Sequence, residues 1–84
     1  MGDAEKWLAK ARNSKAGWRA RDVERLYRAW GFVVAPGGRD TRYVHPDHPD
    51  LVAFVTRSSG DVSKGYIQDA VEVIEDLISR GYKP

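Results

Sequence analysis

The stretch GFVVAPGGRDTRYVHP, from Gly31 to Pro46, has the pattern of a β-hairpin. An apolar run at 32–35 leads into turn residues at 36–38, and a second run follows from Thr41 to His45. A connection this short joins antiparallel strands, because a parallel return needs a crossover of about a dozen residues or more. The sequence therefore predicts an antiparallel hairpin at the centre of the chain.

A third strand and three helices surround this hairpin. The third strand is predicted at Leu51–Thr56, after a turn-rich segment at 46–50. Apolar residues at helical spacing predict helices at Ala4–Arg12, Arg21–Trp30 and Tyr66–Arg80. Ser63 is the best N-cap candidate for the last helix, and Asp61 is the alternative if that helix starts earlier. The order predicts an α+β fold in which helices pack on one face of a three-stranded antiparallel sheet and leave the other face free. Residues 1–17 are assigned to an N-terminal helical extension and residues 18–84 to the main domain.

The faces of the strands depend on one choice of register. Alternation places Tyr43 and His45 on one face of the second strand, and Arg42 and Val44 on the other. If Val44 faces the core, Tyr43 and His45 lie on the open face; with the opposite register, His45 packs under the helices. The first alternative predicts a core made of Val23, Leu26, Trp30, Phe32, Val44, Phe54, Ile67, Val71 and Ile74.

Composition is typical of a small soluble domain. The chain has 84 residues, of which 42% are hydrophobic and 31% charged, and it has no cysteine, which excludes disulfides and thiolate metal sites. We see neither a signal peptide nor an apolar run of about 20 residues, and so expect a cytoplasmic protein with no membrane partner. The net charge of +2 does not by itself indicate nucleic-acid binding. Basic residues nevertheless concentrate in the first half of the chain, and acidic residues in the last helix.

Several segments in order resemble the HicA toxins, small messenger-RNA interferases of bacterial toxin–antitoxin systems. The matching pieces are the helix segment RDVERL (21–26), then WGF (30–32), YVHP (43–46) and KGYIQ (64–68). The resemblance covers nearly the whole chain. It implies a double-stranded-RNA-binding-domain-like fold, an RNA ligand and a HicB-like antitoxin as partner.

The resemblance breaks at the start of the second strand. HicA sequences usually carry Gly-Ser-His there, with the histidine as the catalytic group, and this chain has Gly38, Arg39 and Asp40 at those positions. Metal-free RNA cleavage requires a group that removes the 2′-hydroxyl proton and another that protonates the leaving oxygen. Histidine can do either near neutral pH, whereas aspartate is a weak base whose charge repels phosphate. We therefore interpret Asp40 as a turn or strand-start residue and expect weak or no ribonuclease activity.

Candidate site residues follow from these assignments. Arg39, Arg42 and Lys64 are candidates for phosphate contacts, the last at a helix N-terminus, and Tyr43 for contact with RNA on the open face. Asp40 or His45 are the candidate catalytic residues if an interferase activity remains. His48 lies between Pro46 and Pro49 in the predicted loop, where we expect it to be exposed. No cofactor or metal is expected, because His45 and His48 form a pair without a third ligand.

The leading hypothesis is a HicA-like protein that binds RNA and a HicB-like antitoxin. A non-enzymatic protein-interaction domain on the same scaffold is the alternative from a different class. An interferase that uses Asp40 or His45 in place of the usual histidine is the third.

Overall fold

A computed structural model describes residues 2–35, 40–56 and 60–84 as three helices and one antiparallel sheet. The elements, in chain order, are α1 (Asp3–Asn13), α2 (Ala20–Ala29), β1 (Val33–Ala35), β2 (Asp40–His45), β3 (His48–Thr56) and α3 (Lys64–Ser79). The predicted α+β fold and the predicted order of elements are confirmed. Within these described residues, no helix is both long and apolar enough to cross a membrane.

Helix α2 shows why the helical segments were predictable. Its buried side chains, Val23, Leu26 and Tyr27, recur at the spacing of one helix face. At its start, the backbone N–H of Arg19 donates to the Asp22 carboxylate at 3.1 Å. After its end, Gly31 takes a φ of +87°, the left-handed conformation that commonly closes a helix.

The sheet has the strand order β1-β2-β3, and both neighbouring pairs are antiparallel. Val33 lies opposite Val44, and Arg42 lies opposite Phe54. The predicted start of the third strand was wrong, because β3 begins at His48 rather than Leu51. His45 and His48 pair directly, so the loop at 46–50 shortens to a two-residue turn, the commonest length for a hairpin.

The core lies between the helices and one face of the sheet. Seven of the nine predicted core residues are buried, but the assignments of Val44 and Phe54 were wrong: Val44 is half-buried and Phe54 is 55% exposed. Tyr43 and His45 take the inward positions, so the second of the two alternative registers is the observed one. The physical reason is area, because the ring of Tyr43 removes more apolar surface from water than the side chain of Val44.

Helix α1 packs into the same core as the rest of the chain. Its Ala4, Leu8 and Ala11 are buried in the cluster that includes α2, the sheet and α3. The indole Nε1–H of Trp30 donates to the carbonyl of Ala4 at 2.9 Å, across 26 residues of sequence. The predicted N-terminal extension is therefore tied to the main domain by packing and by a buried hydrogen bond.

Candidate functional site

The face of the sheet that points away from the helices carries an exposed apolar patch with two charged residues. We call this surface the open face. Val33 of β1 is 44% exposed, and Val52 of β3 is 37% exposed. From the register of the three strands, the side chains that the structure describes on this face are those of Val33, Ala35, Asp40, Arg42, Val44, Val52 and Phe54.

Arg42 and Phe54 form the centre of the open face. They are direct cross-strand partners, and such partners have Cβ atoms about 4.5–5.5 Å apart. Arg42 is exposed, and Phe54 is the most exposed of the large hydrophobic side chains in the described part of the chain. A guanidinium group binds phosphate oxygens, and an exposed aromatic ring stacks on an unpaired base. The pair thus supplies the two kinds of contact on which single-stranded RNA binding depends.

Asp40 begins β2 and is exposed on the same face as Arg42. Two residues along a strand span about 6.6 Å, which brings a carboxylate near the guanidinium group of the Arg42–Phe54 pair. As a carboxylate, Asp40 opposes the approach of a phosphate that Arg42 attracts. Arg39, the preceding residue and a candidate for RNA contact, lies outside the described residues, as does the predicted turn at 36–38.

His45 is held inside the protein and does not reach the open face. The side chain is 1% exposed, and its Nε2 lies 3.1 Å from the carbonyl oxygen of Trp30. Its Nδ1 accepts the backbone N–H of Asp47 at 3.2 Å. The neutral tautomer with the proton on Nε2 satisfies both bonds. Both ring nitrogens are therefore occupied by backbone groups, and of the two alternatives for His45 the structure has the one in which it packs under the helices.

Tyr43 is likewise buried, so its predicted place on the open face was wrong. Its ring stacks on Tyr27 with centroids 4.4 Å apart and an interplanar angle of 18°. Burial, and after it the charge of Glu24, raises the pKa of Tyr43 to about 12, while Arg28 acts in the opposite direction. The side chain, 2% exposed, is a core residue with no ring face available to a base.

Lys64 is the first residue of α3, immediately after the N-cap residue Ser63, and it is exposed. The predicted N-cap position is thus confirmed. The first turn of α3 carries no acidic residue that would neutralise the partial positive charge of the helix N-terminus. Lys64 therefore stands where the helix and its own side chain both attract anions.

Sequence reasoning missed Phe54 as a site residue and misplaced His48. The signal for Phe54 was present: 51–55 reads LVAFV, which is apolar in both phases of a strand. In a sheet with helices on one face, the surplus apolar residues must lie on the other face. His48, predicted in an exposed loop, is half-buried in β3 with its ring centroid 5.3 Å from that of His45. The described residues contain no group of three or more potential metal ligands.

Comparison of the chain with protein-family models, curated proteins and solved structures found no match. The resemblance to HicA toxins remains a prediction, which depends on the order and spacing of short segments such as YVHP (43–46). The geometry of the open face is the physical basis for assigning a function.

Proposed function

We propose that this chain is a HicA-like toxin-family protein of the cytoplasm that binds single-stranded RNA on the open face and is bound by a HicB-like antitoxin. The observation that carries the proposal is the cross-strand pairing of Arg42 with Phe54 on a sheet face that no described helix covers. Lys64, at the N-terminus of α3, supports a further phosphate contact.

In this proposal Arg42 and Phe54 divide the work of binding. The guanidinium group neutralises a backbone phosphate, and this contribution falls as salt rises because counterions are no longer released as favourably. Phe54 stacks on a base, a contact that is tolerant of sequence because every base has a π-face. The valines at 33, 44 and 52 surround this pair with an apolar floor.

The proposed protein has weak or no ribonuclease activity. Asp40 occupies the position at which the HicA family places its catalytic histidine. His45, the other candidate, has both ring nitrogens hydrogen-bonded to backbone groups inside the core. The buried ring of His45 therefore has no nitrogen available to the 2′-hydroxyl of a bound RNA.

A protein-interaction domain without RNA is the second candidate, and one observation favours it. Four apolar side chains, those of Val33, Val44, Val52 and Phe54, share the open face, and contiguous exposed apolar surface is typical of protein docking sites. In the HicA-like proposal the antitoxin covers this same surface. A HicB-like reading frame next to the one that encodes this chain would support that partner.

Titration of a fluorescent single-stranded RNA of about 12 nucleotides tests the binding proposal. We expect micromolar or weaker affinity that falls steeply with salt, and weaker binding for Arg42→Ala and Lys64→Ala. Lys6→Ala is the matched control, because it removes the same charge from α1, which contributes no residue to the open face and lies apart in sequence from the start of α3. Binding that is independent of salt, or equal losses in all three variants, would refute the assignment of RNA to the open face.

A cleavage assay tests the missing activity. The unaltered protein should leave messenger RNA intact, and Asp40→His should increase cleavage, since a positioned acid–base group contributes roughly 10²–10⁴-fold. Asp40→Asn controls for loss of the negative charge alone. Strong cleavage by the unaltered protein that Asp40→Asn abolishes would show instead that the carboxylate is the base.

A further inference from the structure

A groove runs along the outer side of β3, between that strand and the flank of α3. Its volume is about 370 Å³. The residues that line it are Val52, Ala53 and Phe54 of β3, with Tyr66, Asp69, Glu72 and Val73 of α3. The groove is distinct from the centre of the open face, with which it shares Val52 and Phe54 at its rim.

The strand that forms one wall of the groove is an edge strand. The sheet order is β1-β2-β3, and among the described strands none pairs with the outer side of β3. Every second residue of such a strand directs its N–H and C=O groups outward, where they can pair with another chain. β3 has nine residues, whereas β1, at the opposite edge, has three.

β3 lacks the usual protection of an edge strand over most of its length. Natural edges are blocked by charged side chains, proline or bulges. Pro49 lies at the beginning of β3, where the register with β2 is irregular between Val44 and His45, but 51–55 contains no charged residue and no proline. The groove therefore lies against the part of β3 that is most able to accept a further strand.

The other wall of the groove is acidic. Asp69 and Glu72 both line it and are exposed, and among the described residues that line it there is no lysine or arginine. A strand added beside β3 would alternate its side chains between the helix side, near these carboxylates, and the open side, near Val52 and Phe54. The strand that fits best therefore has basic residues at every second position, facing the helix, and apolar residues at the positions between them.

We propose that this groove binds an extended segment of a partner protein, with alternating basic and apolar residues, which adds to β3 as a fourth strand. Main-chain hydrogen bonds to β3 provide affinity, and the acidic flank of α3 selects the basic residues. A second copy of this chain fits poorly, because edge-to-edge pairing of two β3 strands would bring the Asp69 and Glu72 carboxylates of both copies to the same side of one sheet.

Two heptapeptides with blocked ends test the proposal in the absence of RNA. One alternates valine with lysine, and the other alternates valine with glutamate. In NMR titrations of the full chain, the lysine peptide should shift the amides of 51–55 and of Asp69 and Glu72, and slow hydrogen exchange along β3. The β1 amides, 33–35, should not move. A lysine peptide with proline at its centre should bind more weakly, since it lacks a backbone donor.

Charge variants test the role of α3. Asp69→Asn with Glu72→Gln should weaken binding of the lysine peptide roughly three- to tenfold, the effect of removing two exposed ion pairs. Asp47→Asn with Glu75→Gln is the matched control, because it removes two carboxylates outside the groove and should leave the affinity unchanged.

Four results would overturn the proposal. They are no binding of the lysine peptide, equal binding of the two peptides, shifts confined to β1, and equal losses in the two double variants. Concentration-dependent dimers of the chain alone, with β3 amides protected, would assign the groove to a second copy instead. Shifts of Asp69 and Glu72 by an RNA oligonucleotide but not by peptide would assign it to nucleic acid.

Discussion

Replacing Gly31 by alanine should destabilise the protein much more than the same change at Gly17. Both glycines have positive φ, +87° at Gly31 and +77° at Gly17. Alanine in this left-handed region costs about 1–2 kcal/mol at either position. The two sites differ in the atoms around them. The difference in unfolding free energy between the two variants therefore measures how tightly the atoms around Gly31 pack.

A Cβ atom at Gly31 meets two side chains. It would overlap the hydroxyl of Tyr82 and lie 2.9 Å from Nε2 of His45, whereas a Cβ at Gly17 has nothing within 4 Å. The ring of His45 cannot withdraw without losing its hydrogen bond to the carbonyl of Trp30. Overpacking of this kind typically costs 1–3 kcal/mol, so Gly31→Ala should lose about 2–5 kcal/mol in total.

Denaturant unfolding at neutral pH gives the free energies, and thermal unfolding gives a second reading. A difference of 1 kcal/mol corresponds to roughly 4–8 °C in Tm for a domain of this size. Tyr82→Ala in the Gly31→Ala background should recover part of the loss, as a coupling of roughly 0.5–3 kcal/mol in a double-mutant cycle. Equal losses for Gly31→Ala and Gly17→Ala would refute the close approach of His45 and Tyr82 to Gly31.

Three further predictions concern the faces of the sheet and the ionisable groups. Leu26→Ala should lower the free energy of unfolding by about 2–5 kcal/mol because Leu26 is buried. Phe54→Ala should lower it by only about 0.7–1.4 kcal/mol because its side chain is 55% exposed. Equal losses would show that Phe54 belongs to the core. Hydrogen bonds from Arg80 to Asp50, at 2.9 and 2.7 Å, hold the pKa of Asp50 below its ordinary 3.8. Asp50→Asn should therefore lower the stability of the protein above pH 4. Below pH 4, the unfolding midpoints of the variant and of the unaltered protein should converge. Burial is the largest cause that raises the pKa of Tyr43 from 10.0 to about 12. The neutral Tyr43 side chain therefore stabilises the folded state fully below pH 10, and this contribution is lost as pH rises through 12. Tyr43→Phe should make the unfolding midpoint decline less between pH 10 and 12.

Local patterns predicted the helices and the order of the strands. In α2, Val23, Leu26 and Tyr27 mark a single face, because a period of 3.6 residues is hard to produce by chance over ten positions. Helix ends were predicted to within about two residues, because the residues that end a helix, such as Gly31 after α2, lie next to it in the sequence. The connections around the hairpin were short enough to require antiparallel pairing.

The candidate site was predicted only in part. Arg42 and Lys64 are exposed, one on the open face and the other at the start of α3, as expected for residues that contact phosphate. Tyr43 was assigned to the open face, and Val44 and Phe54 to the core, from the register that turns Val44 inward. Alternation along a strand separates two sets of side chains but does not determine which set faces the core.

The sequence by itself therefore determined the elements, their order and the existence of one free sheet face, because these depend on local spacing and on short connections. Only the tertiary structure decided which face is free. Both faces of β2 combine polar with apolar residues, since Arg42 and Val44 alternate with Tyr43 and His45. Residues 51–55 of β3 are apolar on both faces, so neither strand by itself specifies which side faces the core. The choice is made by partners distant in sequence: Tyr27 stacks on Tyr43, and the carbonyl of Trp30 binds His45 where Gly31 lets the chain approach. These contacts exist only after α2 packs on the sheet, and they turn Arg42 and Phe54 outward together.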